Sequence, residues 1–101
     1  MPRSLALLSK DLCDLMVRGA GYLDANFVHA YTAALHRVPR LYEQLGADFA
    51  LSEEVREVAD ALLELLSNRS KTGSSREANL VELLRVTLAS VDQRVAERDT
   101  R

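Results

Sequence analysis

The chain has 101 residues, of which 48% are apolar and 28% charged, and its formal net charge is -2. This size and composition fit one globular domain, residues 1–101, and exclude an intrinsically disordered chain. Leu and Ala dominate while Gly, Pro and aromatic residues are scarce, so we expect an all-α fold.

The first predicted helix covers about residues 4–18 and ends before Gly19 and Gly21. It contains the single cysteine, Cys13, which excludes an internal disulfide and a metal site built from several cysteines. Lys10 and Asp11 interrupt its apolar run too early for a secretory signal. No run approaches the ~20 apolar residues that span a bilayer. We therefore expect a cytoplasmic protein that does not bind a membrane.

The second predicted helix covers about residues 24–45 and contains Pro39. Proline cannot donate to the carbonyl of Leu35, which costs about 3 kcal/mol inside a helix. The apolar positions nevertheless stay in phase on both sides of Pro39, from Leu35 and Val38 to Leu41. We therefore predict one helix kinked at Pro39. The alternative is a short break with Pro39 at the first position of a new helix.

The third and fourth predicted helices cover about residues 53–68 and 75–97. Ser52 is a suitable N-cap for the third, and Ser74 and Glu77 form a capping box for the fourth. Residues 67–75 between them form the predicted flexible polar loop. Short connections favour antiparallel neighbours, so four antiparallel-type helices should form a small bundle. Its apolar stripes are broad for so short a chain, and we expect dimerisation to complete it.

The two histidines, His29 and His36, are seven residues apart on the second helix. They share one side but are separated by about 10.5 Å of helical rise, too far to bind one metal ion. We therefore expect no metal site. Small four-helix domains that carry phosphate on a helical histidine have about this size and usually show His-x-x-Lys-Gly. This chain reads His-Ala-Tyr-Thr-Ala and His-Arg-Val-Pro-Arg, so only a fold-level resemblance to phosphotransfer domains remains.

No arrangement of residues indicates catalysis or a cofactor. Cys13 has no sequence context that would activate its thiol, and the serines show no G-x-S-x-G motif. The near-neutral charge argues against a nucleic-acid footprint. The third helix also begins with Glu53, Glu54 and Glu57, which would repel a phosphate backbone. We expect a protein that is not an enzyme, with DNA binding through a dimeric helical fold as the alternative.

All five aromatic residues fall between Tyr22 and Phe49, around the second helix. This helix is either the centre of the core or a contact surface, since Tyr and Arg are enriched at binding hot spots. A tyrosine ring more than about half buried in one chain would belong to the core. The predicted partner or dimer interface consists of Phe27, Tyr31, Leu35, Val38, Arg40 and Tyr42.

The leading hypothesis is a small helical protein that acts by binding another protein. It could be a regulatory adaptor, or an anti-activator that masks a transcription factor. We expect a protein partner and a homodimer, with no cofactor and no nucleic acid. The first alternative is a DNA-binding regulator, and the second is a phosphotransfer domain that uses His29 or His36.

Overall fold

The computed structural model describes residues 4–22, 29–70 and 75–99, with side chains at 4–22, 33–68 and 76–98. Within these ranges every element is helical, as the sequence predicts. The elements in chain order are α1 (Leu5–Ala20), α2 (His29–His36), α3 (Val38–Leu45), a 3₁₀ helix (Gly46–Leu51), α4 (Glu53–Ser70) and α5 (Ser75–Asp99).

Helix α1 begins after Ser4, whose side chain accepts a hydrogen bond from the backbone N–H of Leu7 at 3.3 Å. This cap satisfies one of the amide groups that has no helical partner. The predicted apolar stripe is the buried face, and the helix runs two residues beyond its predicted end at residue 18. Buried α1 residues are Leu8, Ser9, Leu12, Cys13, Leu15, Met16 and Gly19.

The predicted helix 24–45 is interrupted at Arg37, which separates α2 from α3. Arg37 is the single turn residue between α2 and α3, and its N–H donates to the carbonyl of Ala34 at 3.1 Å. Pro39 then occupies the first turn of α3, where a missing N–H costs little. The interruption therefore lies two residues before Pro39. Residues 24–28 of the predicted helix lie outside the described residues.

The chain after α3 forms a short 3₁₀ helix that the sequence did not predict. Gly46 ends α3 as expected, with a positive φ of 54° that favours glycine. The following turn buries Phe49 completely and Ala50 almost completely. Ser9 of α1 fixes this turn, because its hydroxyl donates to the carbonyl of Ala47 at 2.7 Å and accepts from the N–H of Ala50 at 3.1 Å.

Helices α4 and α5 are joined by a shorter connection than the predicted loop 67–75. Helix α4 continues through Ser70, α5 begins at Ser75, and residues 71–74 between them lie outside the described residues. Arg56 near the start of α4 forms an ion pair with Asp92, far along α5, at 2.8 Å. An antiparallel arrangement of α4 and α5 would bring these two positions together.

One core lies between α1, α4, α5 and the α3–3₁₀ segment. Gly19 allows α1 and α4 to approach closely, because an added Cβ would lie 2.8 Å from a methyl group of Leu62. The core residues are Leu8, Leu12, Cys13, Leu15, Met16, Leu35, Val38, Phe49, Ala50, Val55, Ala59, Leu62, Leu66, Leu80, Val81, Leu84, Leu88 and Val91.

Candidate functional site

The structure places two residues of the predicted interface in the core. Leu35 at the end of α2 is 4% exposed, and Val38 at the start of α3 is 1% exposed. Side chains this buried offer almost no surface to a partner while the domain stays folded. Phe27 lies outside the described residues. Tyr31 lies in α2, and its side chain is not described.

The other two residues of the predicted interface differ in exposure. Tyr42 of α3 is partly buried and packs edge-on against Phe49, with ring centroids 5.7 Å apart and an angle of 77° between the rings. By the exposure criterion stated above, Tyr42 belongs to the core. Arg40 is exposed. Among the predicted residues whose side chains are described, only Arg40 is freely accessible.

The candidate chemical groups from the sequence are the two histidines and Cys13. His36 is exposed on α2, and the side chain of His29 is not described. No group of three or more His, Cys, Asp or Glu side chains in the described ranges could hold a metal ion. Cys13 is buried, and burial raises the pKa of its thiol, with the nearby Asp14 carboxylate raising it further. The raised pKa reduces the nucleophilic thiolate population near neutral pH.

The acidic residues at the start of α4 lie on the surface. Glu53 and Glu54 are exposed in its first turn, and Glu54 is 3.6 Å from Arg37. Arg56 contacts both Asp60 and Asp92, and the hydrogen bond to Asp92 is the main cause that raises the pKa of Arg56. These charges link the α4 surface to α3 and α5. They do not converge on a common centre.

A groove of about 460 Å³ runs between α1 and α5. Leu8 and Leu15 of α1 contribute apolar surface to it, although both belong to the core. Leu83 and Val86 of α5 line it as well, and they remain 49% and 54% exposed. The groove is therefore a concave apolar surface open to solvent. Its full lining is Leu8, Asp11, Asp14, Leu15, Arg18, Leu83, Val86, Thr87 and Ser90.

The groove continues into a smaller pocket of about 220 Å³, since Arg18 and Leu83 line both. This pocket adds Tyr22, near the end of α1, and Arg76, near the start of α5. At the opposite end, Leu7 lies one turn before Asp11 on the same side of α1 and is 53% exposed. Along α1 the lining extends from Leu8 to Arg18, which is about 15 Å or nearly three helical turns.

The side chains around the groove carry opposite charges towards its two ends. Asp11 and Asp14 line it nearer the start of α1, whereas Arg18 and Arg76 lie at the other end. Asp14 and Arg18 are exposed, and neither forms an ion pair with a described residue. Both charges are therefore accessible to a ligand. A groove with exposed aliphatic side chains on α5 and charged side chains on its rims offers the chemistry with which an amphipathic helix can be bound.

This site is absent from the residues predicted from sequence, because Leu83 follows the helical spacing of core positions and Val86 lies outside that spacing. The sequence of the fourth predicted helix nevertheless indicates that part of its apolar surface is exposed. At 100° per residue, its apolar positions cover more than half of the circumference, which a single core face cannot bury. These positions are Leu80, Val81, Leu83, Leu84, Val86, Leu88 and Val91.

None of the helices in the described ranges combines the length and apolar character needed to cross a membrane. The chain matches no known protein-family model, and the searches found no matching curated protein or solved structure.

Proposed function

We propose that this protein is a small, non-enzymatic, cytoplasmic protein-binding domain, such as a regulatory adaptor or anti-activator. Its α1/α5 groove receives a helical segment of the partner. The observation that carries this proposal is the pair Leu83 and Val86, two large aliphatic side chains that remain about half exposed beside a concave channel. Contiguous exposed apolar surface of this kind is typical of interaction sites.

The size of the groove indicates weak and reversible binding. Complete burial of a Val or Leu side chain is worth about 1.5–3 kcal/mol. Covering the exposed halves of Leu7, Leu83 and Val86 therefore contributes about 3 kcal/mol in total. A micromolar dissociation constant requires about 8 kcal/mol after the entropic cost of association. The exposed apolar side chains therefore support only weak and reversible binding by themselves, and polar contacts at the rim have to supply any further affinity.

The alternative functions have less support from the structure. For DNA binding, Glu53 and Glu54 in the first turn of α4 are exposed and would repel a phosphate backbone. For phosphotransfer, His36 is exposed in the last turn of α2, but no feature among the residues with described side chains adds support for phosphate chemistry there. A second copy of the chain is the competing occupant of the groove, and it would form the dimer expected from the broad apolar stripes.

The proposal is tested with a phage-displayed library of peptides about 14 residues long that carry a helical apolar stripe. The library is selected against the wild-type domain, and bound peptides are then measured against Leu83→Glu. A carboxylate at the centre of the groove should weaken binding about tenfold or more, because it disrupts a buried apolar contact. Leu45→Glu is the matched control, since Leu45 is exposed on α3 away from the groove.

Enriched peptides that lose affinity for Leu83→Glu but keep it for Leu45→Glu support the groove as the binding site. Enrichment that is insensitive to Leu83→Glu, or no enrichment at all, contradicts the proposal. Circular dichroism melts of the two variants separate loss of binding from loss of folding. Both replaced side chains lie on the surface, so both variants should remain helical.

A further inference from the structure

The arrangement of charges along the groove narrows the chemistry of its occupant. Asp14 and Arg18 are one helical turn apart on α1, about 6 Å along the axis. Asp11 extends the acidic end, and Arg76 of α5 extends the basic end. The two ends are therefore separated by four to seven residues of α1, and opposite charges meet within one short channel.

The backbone dipoles of the flanking helices do not mask this pattern. Tyr22, near the end of α1, and Arg76, near the start of α5, line the same pocket. The carbonyl end of one helix dipole therefore lies beside the amide end of the other, and their partial charges, each about half an elementary charge, largely offset one another. The side-chain charges then determine the electrostatic preference of the groove.

We infer that the occupant is an amphipathic helix of a partner protein whose apolar stripe is flanked by charges of both signs. This inference rests on the proposed function. A Lys or Arg lies over Asp14 at the acidic end, and an Asp or Glu lies over the Arg18/Arg76 end. Helices of the same rise lie side by side, so these two residues are four to seven positions apart in the partner. Apolar residues at i, i+3 or i+4, and i+7 cover Leu83 and Val86.

The charge arrangement gives specificity rather than most of the affinity. A helix bound in the same chain direction with its charges exchanged would place like charges together at both ends, and such pairs disfavour the wrong partner. The apolar contacts with Leu83 and Val86 would stay the same. Exchanging the two charges therefore tests the charge arrangement separately from the apolar contacts.

The test uses one peptide from the selection that carries this charge pattern, and a copy with its Lys and Glu exchanged. Fluorescence anisotropy measures both against the wild-type domain and against Asp14→Lys/Arg18→Glu. On the wild type, the exchanged peptide should bind about tenfold more weakly. On the double variant, that preference should invert. Arg76→Glu changes the basic end alone and should weaken the original peptide by a few-fold.

Inversion of the preference supports the inference. Equal affinity of both peptides for the wild type contradicts the inference about the charge pattern. If the original peptide still loses affinity for Leu83→Glu in that case, the proposed function remains supported. If the selected peptides bind the groove but lack this charge pattern, the inference about the charge pattern is also contradicted. Sedimentation equilibrium tests the other occupant: a dimer that Leu83→Glu dissociates assigns the groove to a second copy and also overturns the inference. If the selection enriches no peptide, the result contradicts both the proposed function and the inference about the charge pattern.

Discussion

The α2–α3 segment and the α1/α5 groove show why an apolar pattern alone does not reveal a binding surface. The first contains Tyr31, Tyr42 and Pro39, yet it directs Leu35 and Val38 into the core. The second has aliphatic side chains in α5, yet it leaves Leu83 and Val86 half exposed. In this chain the width of the apolar arc, rather than aromatic content, separates an exposed apolar surface from a core face.

Alanine substitution at Leu35 and at Leu83 measures this difference most strongly. Leu35→Ala leaves a cavity in the core and should lower the free energy of unfolding by about 2–5 kcal/mol. Leu83→Ala removes a half-exposed side chain and should cost about 1 kcal/mol. Urea denaturation followed by circular dichroism measures both. Equal decreases in the free energy of unfolding would contradict the placement of Leu35 in the core and of Leu83 at the surface.

Ser9 tests whether the segment after α3 is held as part of the core. Ser9→Ala leaves the buried N–H of Ala50 and the carbonyl of Ala47 without the hydroxyl, which should cost about 1–3 kcal/mol. Ser90→Ala on the groove side removes an exposed bond to the carbonyl of Val86 and should change stability by about 0.5 kcal/mol or less. Thermal melts compare the two. A similar small effect for both would indicate that water replaces the Ser9 contacts.

Gly19 tests the tight packing of the core-facing side of α1. Gly19→Ala gains about 1 kcal/mol of helix propensity but forces a Cβ against Leu62, which costs about 1–3 kcal/mol. We expect a net loss of about 1 kcal/mol. In a Leu62→Ala background the clashing atoms are absent, so the same change should stabilise by about 1 kcal/mol. A double-mutant cycle of chemical denaturation measures the coupling. Additive effects would show that the two helices are not in close contact.

The smallest expected effect is at the surface link between α4 and α5. Asp92→Asn weakens an ion pair with Arg56 in which the aspartate side chain is 64% exposed, so it should cost about 0.2–1 kcal/mol. The difference from wild type should shrink in 1 M salt, where the Debye length is about 3 Å. Denaturation curves at low and high salt test this. A decrease in the free energy of unfolding above about 2 kcal/mol would contradict the description of Arg56 and Asp92 as a surface ion pair.

The sequence predicted much of the fold because its helices are amphipathic and end at recognisable residues. The apolar stripes located α1, the end of α3 at residue 45, and α4 and α5 to within a few residues. The break at Arg37 was harder to predict, since the apolar phase continues across it. The 3₁₀ helix depends on Ser9, which is about 40 residues away in sequence, and local patterns do not contain that contact.

The candidate site was less predictable than the fold. Whether Leu83 faces the core or solvent depends on how α1 lies against α5, which no single helix encodes. The aromatic cluster near Tyr42 was visible in the sequence, but its T-shaped packing on Phe49 required the 3₁₀ turn to bring the rings together. The groove charges come from two helices about 60 residues apart. Their convergence is a property of tertiary structure.

The affinity of one selected peptide for wild type, Leu83→Glu and Arg40→Glu tests the central claim most directly. Arg40 is the accessible residue of the α2–α3 interface predicted from sequence, and Leu83 lies in the α1/α5 groove. Isothermal titration calorimetry should show about a tenfold or greater loss for Leu83→Glu and an unchanged dissociation constant for Arg40→Glu. If the peptide no longer binds Arg40→Glu but binds Leu83→Glu as it binds the wild type, the groove is not the binding site. The α2–α3 surface would then be the binding site.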